Sequence, residues 1–188
     1  PADFSSLSYP ISFICDGGRL EVGNCESKDN LQADSFFIDF LEEKGVLFRF
    51  NQSGLKVDAQ NFDYKSFNLE CSEFPDLVPT LVFVACLCEG ETKLTGLSVL
   101  KHKESDRFSE ICRLLNTFSV KFSINRGKDE LIINGPCSVV SNLKIELPPD
   151  HRMVMLAAIL LKKFGSGEIN QLEHVKKSYP HFSDDFKL

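Results

Sequence analysis

The stretch Lys101-His102-Lys103-Glu104-Ser105-Asp106-Arg107 gathers cations and carboxylates at the start of an amphipathic pattern. Lys103 and Arg107 are four residues apart and Glu104 and Arg107 three apart, the spacing at which side chains share a helical face. On composition alone such a run is a solvated face with weak ion pairs. Its position argues for more. Lys101, Lys103 and Arg107 fall at or near a helix N-terminus, where the helix dipole disfavours cations and favours anions. The same mismatch recurs at Pro149-Asp150-His151-Arg152, where Asp150 reads as an N-cap and Arg152 falls in the first turn of an apolar helix. An Arg beside free backbone N–H groups is suited to gripping a phosphate or carboxylate with its planar fork.

Asp76, in Phe74-Pro75-Asp76-Leu77-Val78-Pro79, reads by itself as another N-cap. Lys177 reads as a lysine in a connecting loop, with Ser178 a cap and Pro180 in the first helical turn after it. No nucleophilic triad, phosphate loop or dinucleotide fingerprint is present. Gly17-Gly18 and Gly165-Ser166-Gly167 close helices instead of opening them, so ATP hydrolysis and hydride transfer lack support.

Seven scattered cysteines, an odd number, fit reduced thiols used as small apolar residues and not a disulfide framework. There is no Cys-x-x-Cys pair, and His102, His151, His174 and His181 lack ligand spacing, so a zinc site is not expected. A net charge of -6 argues against a nucleic-acid surface. Met153 to Leu161 is too short an apolar run for a membrane span and reads as a buried helix. The start Pro1-Ala2-Asp3-Phe4 lacks the plan of a signal peptide. Together these features suggest a trimmed, cytoplasmic fragment.

The elements that must position these residues follow a plan used three times. Each copy opens at Ser or Asp with an apolar helix and turns at glycine into a short strand. The copies start at Ser5, Phe74-Pro75-Asp76 and Pro149-Asp150, and turn at Gly17-Gly18, at Gly90, and at Gly165 and Gly167. Amphipathic helices follow, striped by Phe36, Phe37, Phe40 and Leu41 in the first copy and by Phe108, Ile111, Cys112 and Leu115 in the second. Paired strands then flank Gly54 and Gly127. The third copy stops in its second helix. The expectation is one α/β (α+β) domain over 1–188, with units at about 1–60, 61–135 and 136–188, sharing a helical core behind solvent-facing sheets.

The same residues resemble the 5-enolpyruvylshikimate-3-phosphate (EPSP) synthase family, over nearly the whole chain and in the family's order. The matching stretches are Phe74 to Pro79, Glu89-Gly90-Glu91-Thr92, Gly96-Leu97 followed by Lys101 to Arg107, Asp150-His151-Arg152-Met153 and Lys177-Ser178-Tyr179-Pro180. Ala2 to Ser6 is a looser match, and Val99 stands near where some members carry asparagine. The resemblance implies βαβαββ units about a pseudo-threefold axis, in one of the two domains of an inside-out barrel. It implies transfer of the enolpyruvyl group of phosphoenolpyruvate to the 5-hydroxyl of shikimate 3-phosphate, without metal or cofactor.

By the same resemblance, Asp76 accepts the hydroxyl proton and orients the sugar ring. Glu104, with Lys177, handles the proton on the methylene carbon. Arg107, Arg152 and Lys177 hold phosphoenolpyruvate, and Lys103 contacts shikimate 3-phosphate. The motifs of the family's N-terminal domain do not occur here, so the chain is expected to be a monomeric fragment that folds but does not turn over. Two alternatives stay open: half of the sister transferase acting on UDP-N-acetylglucosamine, and a non-catalytic anion-binding module on the same unit.

Overall fold

The computed structural model describes residues 2–188. Three helices form its centre: α1 (Phe4–Phe13), α3 (Val78–Leu87) and α5 (His151–Phe164), each packed against the other two. Their sequences explain the arrangement. All ten residues of α3 are buried, which an apolar surface on every side requires. Nine of ten in α1 and eleven of fourteen in α5 are buried too. The buried hydroxyls of Ser8 and Ser12 in α1 donate back to the carbonyls of Ser5 and Tyr9 at 2.6 and 2.9 Å, so they enter the core with their hydrogen bonds made. None of the helices is long and apolar enough to cross a membrane among the described residues.

Each central helix is followed by a strand and an outer helix. After α1 come β1 (Arg19–Val22), α2 (Phe36–Glu43) and the hairpin β2 (Leu47–Asn51) and β3 (Gly54–Asp58). After α3 come β5 (Gly90–Thr95), α4 (Arg107–Thr117), β6 (Lys121–Asn125) and β7 (Glu130–Gly135). After α5 come β9 (Gly165–Ile169) and α6 (Phe182–Phe186). Two strands precede central helices: β4 (Asn68–Glu70) before α3, and β8 (Val140–Ile145) before α5. The strands build three small sheets, ordered β1-β3-β2, β4-β5-β7-β6 and β8-β9. β4 and β8 join by parallel pairing to β5 and β9, whereas the hairpins add antiparallel strands.

Several local expectations are corrected. Left-handed glycine ends only the first helix pattern, at Gly17 (φ 105°). The second and third helices end at extended Cys88 and Gly165, and the chain passes almost directly into a strand. Lys103 is extended and α4 begins only at Arg107, with Asp106 as its cap, so Lys103 and Glu104 precede the helix instead of sharing its face. Asp76 sits within a 3-10 turn, Pro75–Leu77, and caps nothing. Lys177 ends a 3-10 stretch, and Ser178 and Pro180 both lie ahead of α6 without capping it. The strands β4 and β8 are absent from the plan read from the residues, and they stand where the βαβαββ units of the resemblance place a strand before the first helix.

Candidate active site

The site lies where the N-termini of α3, α4 and α5 converge. Asp76 is held at the entry to α3 by its 3-10 turn, Arg107 is the first residue of α4, and Arg152 is in the first turn of α5. Three cations meet on the Asp76 carboxylate. Arg107 Nη1 donates to Oδ1 at 2.9 Å, Lys103 Nζ lies 3.2 Å from the same oxygen, and Arg152 Nη2 lies 3.3 Å from Oδ2. Burial alone pushes the Asp76 pKa up, but Arg152, Lys103 and Arg107 more than offset it and hold the carboxyl below its ordinary value. Asp76 is therefore an ionised acceptor at neutral pH.

Arg107 is 2% exposed and its fork serves three carboxylates. Besides Asp76, Nε donates to Asp150 Oδ2 at 2.8 Å and Nη2 lies 3.6 Å from Glu104. Asp150 is fully buried and bridges two elements: Oδ1 accepts from the Arg152 backbone N–H at 3.0 Å as the cap of α5, and Oδ2 also accepts from the Ser105 hydroxyl at 2.9 Å. Burial raises the Asp150 pKa, and the hydrogen bond and charge of Arg107 reverse the shift to below the usual range.

Glu104 links the buried pairs to the open edge. Its Oε2 lies 2.8 Å from His151 Nδ1, and its Oε1 pairs with Lys177 Nζ. Desolvation opposes its charge, but Lys177 and His151 hold its pKa below the ordinary value. His151 has its own pKa lowered, first by burial, so its ring is neutral at pH 7 and can donate Nδ1–H to the carboxylate. Glu104, Asp150 and His151 place ligand atoms within 4.8 Å of one another, a metal-like spacing. Arg107 and Lys177 already bind those oxygens, and their positive charge opposes a divalent ion at the same place.

All six residues singled out in the sequence thus enter one network, Lys177–Glu104–Arg107–Asp76 with Lys103 and Arg152 attached to Asp76. Sequence reasoning missed three supports. Asp150 was read as a cap only, although its position three residues before an apolar run beside Arg152 was the available signal. Ser105 gave none. Tyr9, whose buried hydroxyl donates to the Arg152 carbonyl at 3.1 Å, looked like any core aromatic. A cavity of about 740 Å³ between α1, β1 and α6 is lined by none of the six; of these, Arg107 and Arg152 are buried and Lys177 is exposed.

Such a site, three inward-packed helices with charged N-termini behind small outer sheets, defines a domain of the enolpyruvyl transferase inside-out barrel. The solved structure of EPSP synthase from Acinetobacter baumannii superimposes with a TM-score of 0.77 at 24% identity, covering 98% of this chain and 45% of that one. Residues 1–186 match the family model for EPSP synthase (3-phosphoshikimate 1-carboxyvinyltransferase), and the chain belongs to that family. The 3-phosphoshikimate 1-carboxyvinyltransferase of Pyrococcus abyssi is 34% identical over the whole chain, which spans 44% of that relative. The corresponding enzyme of Thermococcus kodakarensis is also 34% identical, with 45% of its length spanned. The chain therefore covers less than half the length of these relatives.

Proposed function

We propose that this chain supplies half of the active site of an enzyme that transfers the enolpyruvyl group of phosphoenolpyruvate to the 5-hydroxyl of shikimate 3-phosphate, releasing phosphate. The observation that carries the reading is the meeting of Lys103, Arg107 and Arg152 on one ionised carboxylate, Asp76, at converging helix N-termini. A hydroxyl that attacks a vinyl carbon must lose a proton, and an anionic carboxylate already desolvated on one side is a suitable acceptor. The enol methylene must gain a proton. Glu104 and Lys177, in direct contact at the rim, form the pair that delivers and later removes it.

Two polyanionic substrates need cations in excess. Arg152 and Lys177 turn toward the phosphate and carboxylate of phosphoenolpyruvate, with Arg107 behind them, and Lys103 turns toward shikimate 3-phosphate. In this reading residues 1–188 are one domain of three units, at about 1–60, 61–135 and 136–188. The companion half of the enzyme supplies the remaining ligands, and the enzyme works as a cytoplasmic monomer. The chain alone does not turn over.

The test has two arms. Titration calorimetry of the chain with shikimate 3-phosphate and with a UDP-sugar compares the substrate classes. A phosphate-release assay then compares the chain alone with the chain completed by its companion half. Phosphate release from phosphoenolpyruvate that requires both halves and shikimate 3-phosphate is the expected result. Turnover by the chain alone, or a requirement for the UDP-sugar, would overturn the reading.

A further inference from the structure

The six charged residues of the site all lie between Asp76 and Lys177, yet α1, far back in the chain, reaches them through its own polar side chains. Its first turn carries adjacent serines, Ser5 and Ser6, both buried. Successive residues of a helix point about 100° apart, so the two hydroxyls meet different neighbours. Ser5 Oγ pairs with Asp34, in the turn ahead of α2. Two residues on, Phe36 stacks on Phe74 at 4.6 Å, beside Pro75 and Asp76. Ser6 Oγ instead meets Asp3 Oδ2 at 2.6 Å and the Ser178 carbonyl at 3.2 Å. Further along the helix, Tyr9 donates to the Arg152 carbonyl.

Lys177 has the least support of the six. Its side chain is 64% exposed, so packing does not hold it. A lysine on its flexible stem stays in place only when its tip is paired and its root is fixed. Glu104 pairs with the tip. At the root, the N–H groups of Ser178 and Tyr179 both donate to the Val175 carbonyl, at 3.2 and 2.9 Å, which shapes the turn within its own stretch. The Ser178 hydroxyl is buried and has no partner among the described residues. The Ser6 bond to the Ser178 carbonyl ties this root to the helical core. One hydroxyl proton serves two acceptors there, with the Asp3 carboxylate drawing the closer contact, so the tie is the long branch of a three-centre bond.

We propose that Ser6 is a positioning residue for Lys177: through the Ser178 carbonyl it fixes the root of the lysine that meets Glu104. Asp3 orients the Ser6 hydroxyl and also caps α1 through the Ser5 N–H at 3.1 Å, while Asp34 anchors the Ser5 side chain. The turn that carries Ser6 is thereby held on both sides. Arg152 is joined to the same helix through Tyr9, so one element sets the spacing of the two cations that turn toward phosphoenolpyruvate in the proposed reaction. The positioning itself follows from the contacts; its consequence for turnover rests on that reaction.

The test reads Lys177 first without turnover. Trace labelling of this chain with acetic anhydride, followed by peptide mass spectrometry, gives the reactivity of the Lys177 amine relative to exposed Lys121. Ser6→Ala should raise that ratio about threefold, the factor a weak hydrogen bond is worth. Ser12→Ala, which removes a buried hydroxyl of the same helix bonded to the Tyr9 carbonyl, should leave it unchanged. In the completed enzyme, Ser6→Ala should raise KM for phosphoenolpyruvate by about the same factor with KM for shikimate 3-phosphate unchanged. Ser6→Thr, which keeps the hydroxyl, should restore it. Unchanged Lys177 reactivity in Ser6→Ala, an equal rise in Ser12→Ala, or equal rises in both KM values would each overturn the proposal. If Ser6→Ala does not fold, Ser6→Cys, of similar size with a weaker donor, makes the same comparison. Absence of turnover in the unmodified enzyme would count against the proposed reaction alone, and the labelling then decides the role of Ser6.

Discussion

Arg107 and Asp150 form an ion pair closed off from solvent, Nε to Oδ2 at 2.8 Å, which ties the N-terminus of α4 to that of α5. The same carboxylate caps α5 next to Arg152, so one buried side chain fixes the positions of both site arginines. Removing one partner of a buried pair leaves the other charge uncompensated, at a cost of about 3–5 kcal/mol. Asp150→Ala should lower unfolding stability by that amount in urea. A loss under about 1 kcal/mol, no more than an ordinary cap contributes, would contradict the pairing.

Arg107→Lys tests whether the fork matters or only the charge. Lysine has one nitrogen and cannot serve Asp76, Asp150 and Glu104 together. The substitution should cost about 2 kcal/mol of stability, the worth of a charged hydrogen bond left unmade in the interior. In the completed enzyme it should also weaken phosphoenolpyruvate binding at least ~10-fold, about 1.4 kcal/mol, measured as KM for that substrate.

Acid should unfold the chain through these carboxylates. Asp76, Glu104 and Asp150 all have folded pKa values held below their ordinary ones, so the unfolded chain binds more protons as pH falls. Their stabilisation is fully present above the unfolded value of about 4 and is lost progressively as pH drops through the lower folded values. His151, also depressed, adds a loss that starts near its unfolded value of about 6.5. Urea midpoints should therefore fall gently below pH 6.5 and steeply below pH 4. Asp150→Asn should flatten the steep part, and an unchanged slope would sink the assignment.

Tyr9→Phe removes only the hydroxyl that donates to the Arg152 carbonyl. Because the carbonyl sits in the first turn of α5 and keeps its helical partner, the expected loss is about 1 kcal/mol. Calorimetric melting should show a drop of a few degrees, about 2–4 °C for a chain of this size.

Glu104→Gln keeps the shape of the Lys177 and His151 contacts but removes the charge. In the completed enzyme kcat should fall about 10²-fold, the ordinary contribution of a positioned acid or base, with the KM for shikimate 3-phosphate little changed. A large rise in that KM with kcat intact would assign Glu104 to binding instead.

Much of this was legible in the chain. The apolar runs Val78 to Leu87 and Met153 to Leu161 could only be buried helices, and their recurrence at a fixed plan made a shared helical core necessary. Arginine and lysine at helix N-termini marked the site because the dipole makes those positions unfavourable without an anion. The strands β4 and β8 were not legible. β4 has three residues, too few to show alternation, and β8 is irregular, with Asn142 at φ 60° and a register shift between Val140 and Leu143. Both are held by parallel pairing to strands some 25 residues away, which no local pattern encodes.

Local chemistry fixed which residues could bind anions, since charge, fork geometry and helix position are properties of short stretches of chain. Tertiary structure decided what they bind at rest. Asp76 reads as a cap, yet the fold brings Lys103, Arg107 and Arg152 to it, and Asp150 gains Arg107 from 43 residues away. Those pairings depend on how the helix ends meet in space, and only the packed core sets that distance.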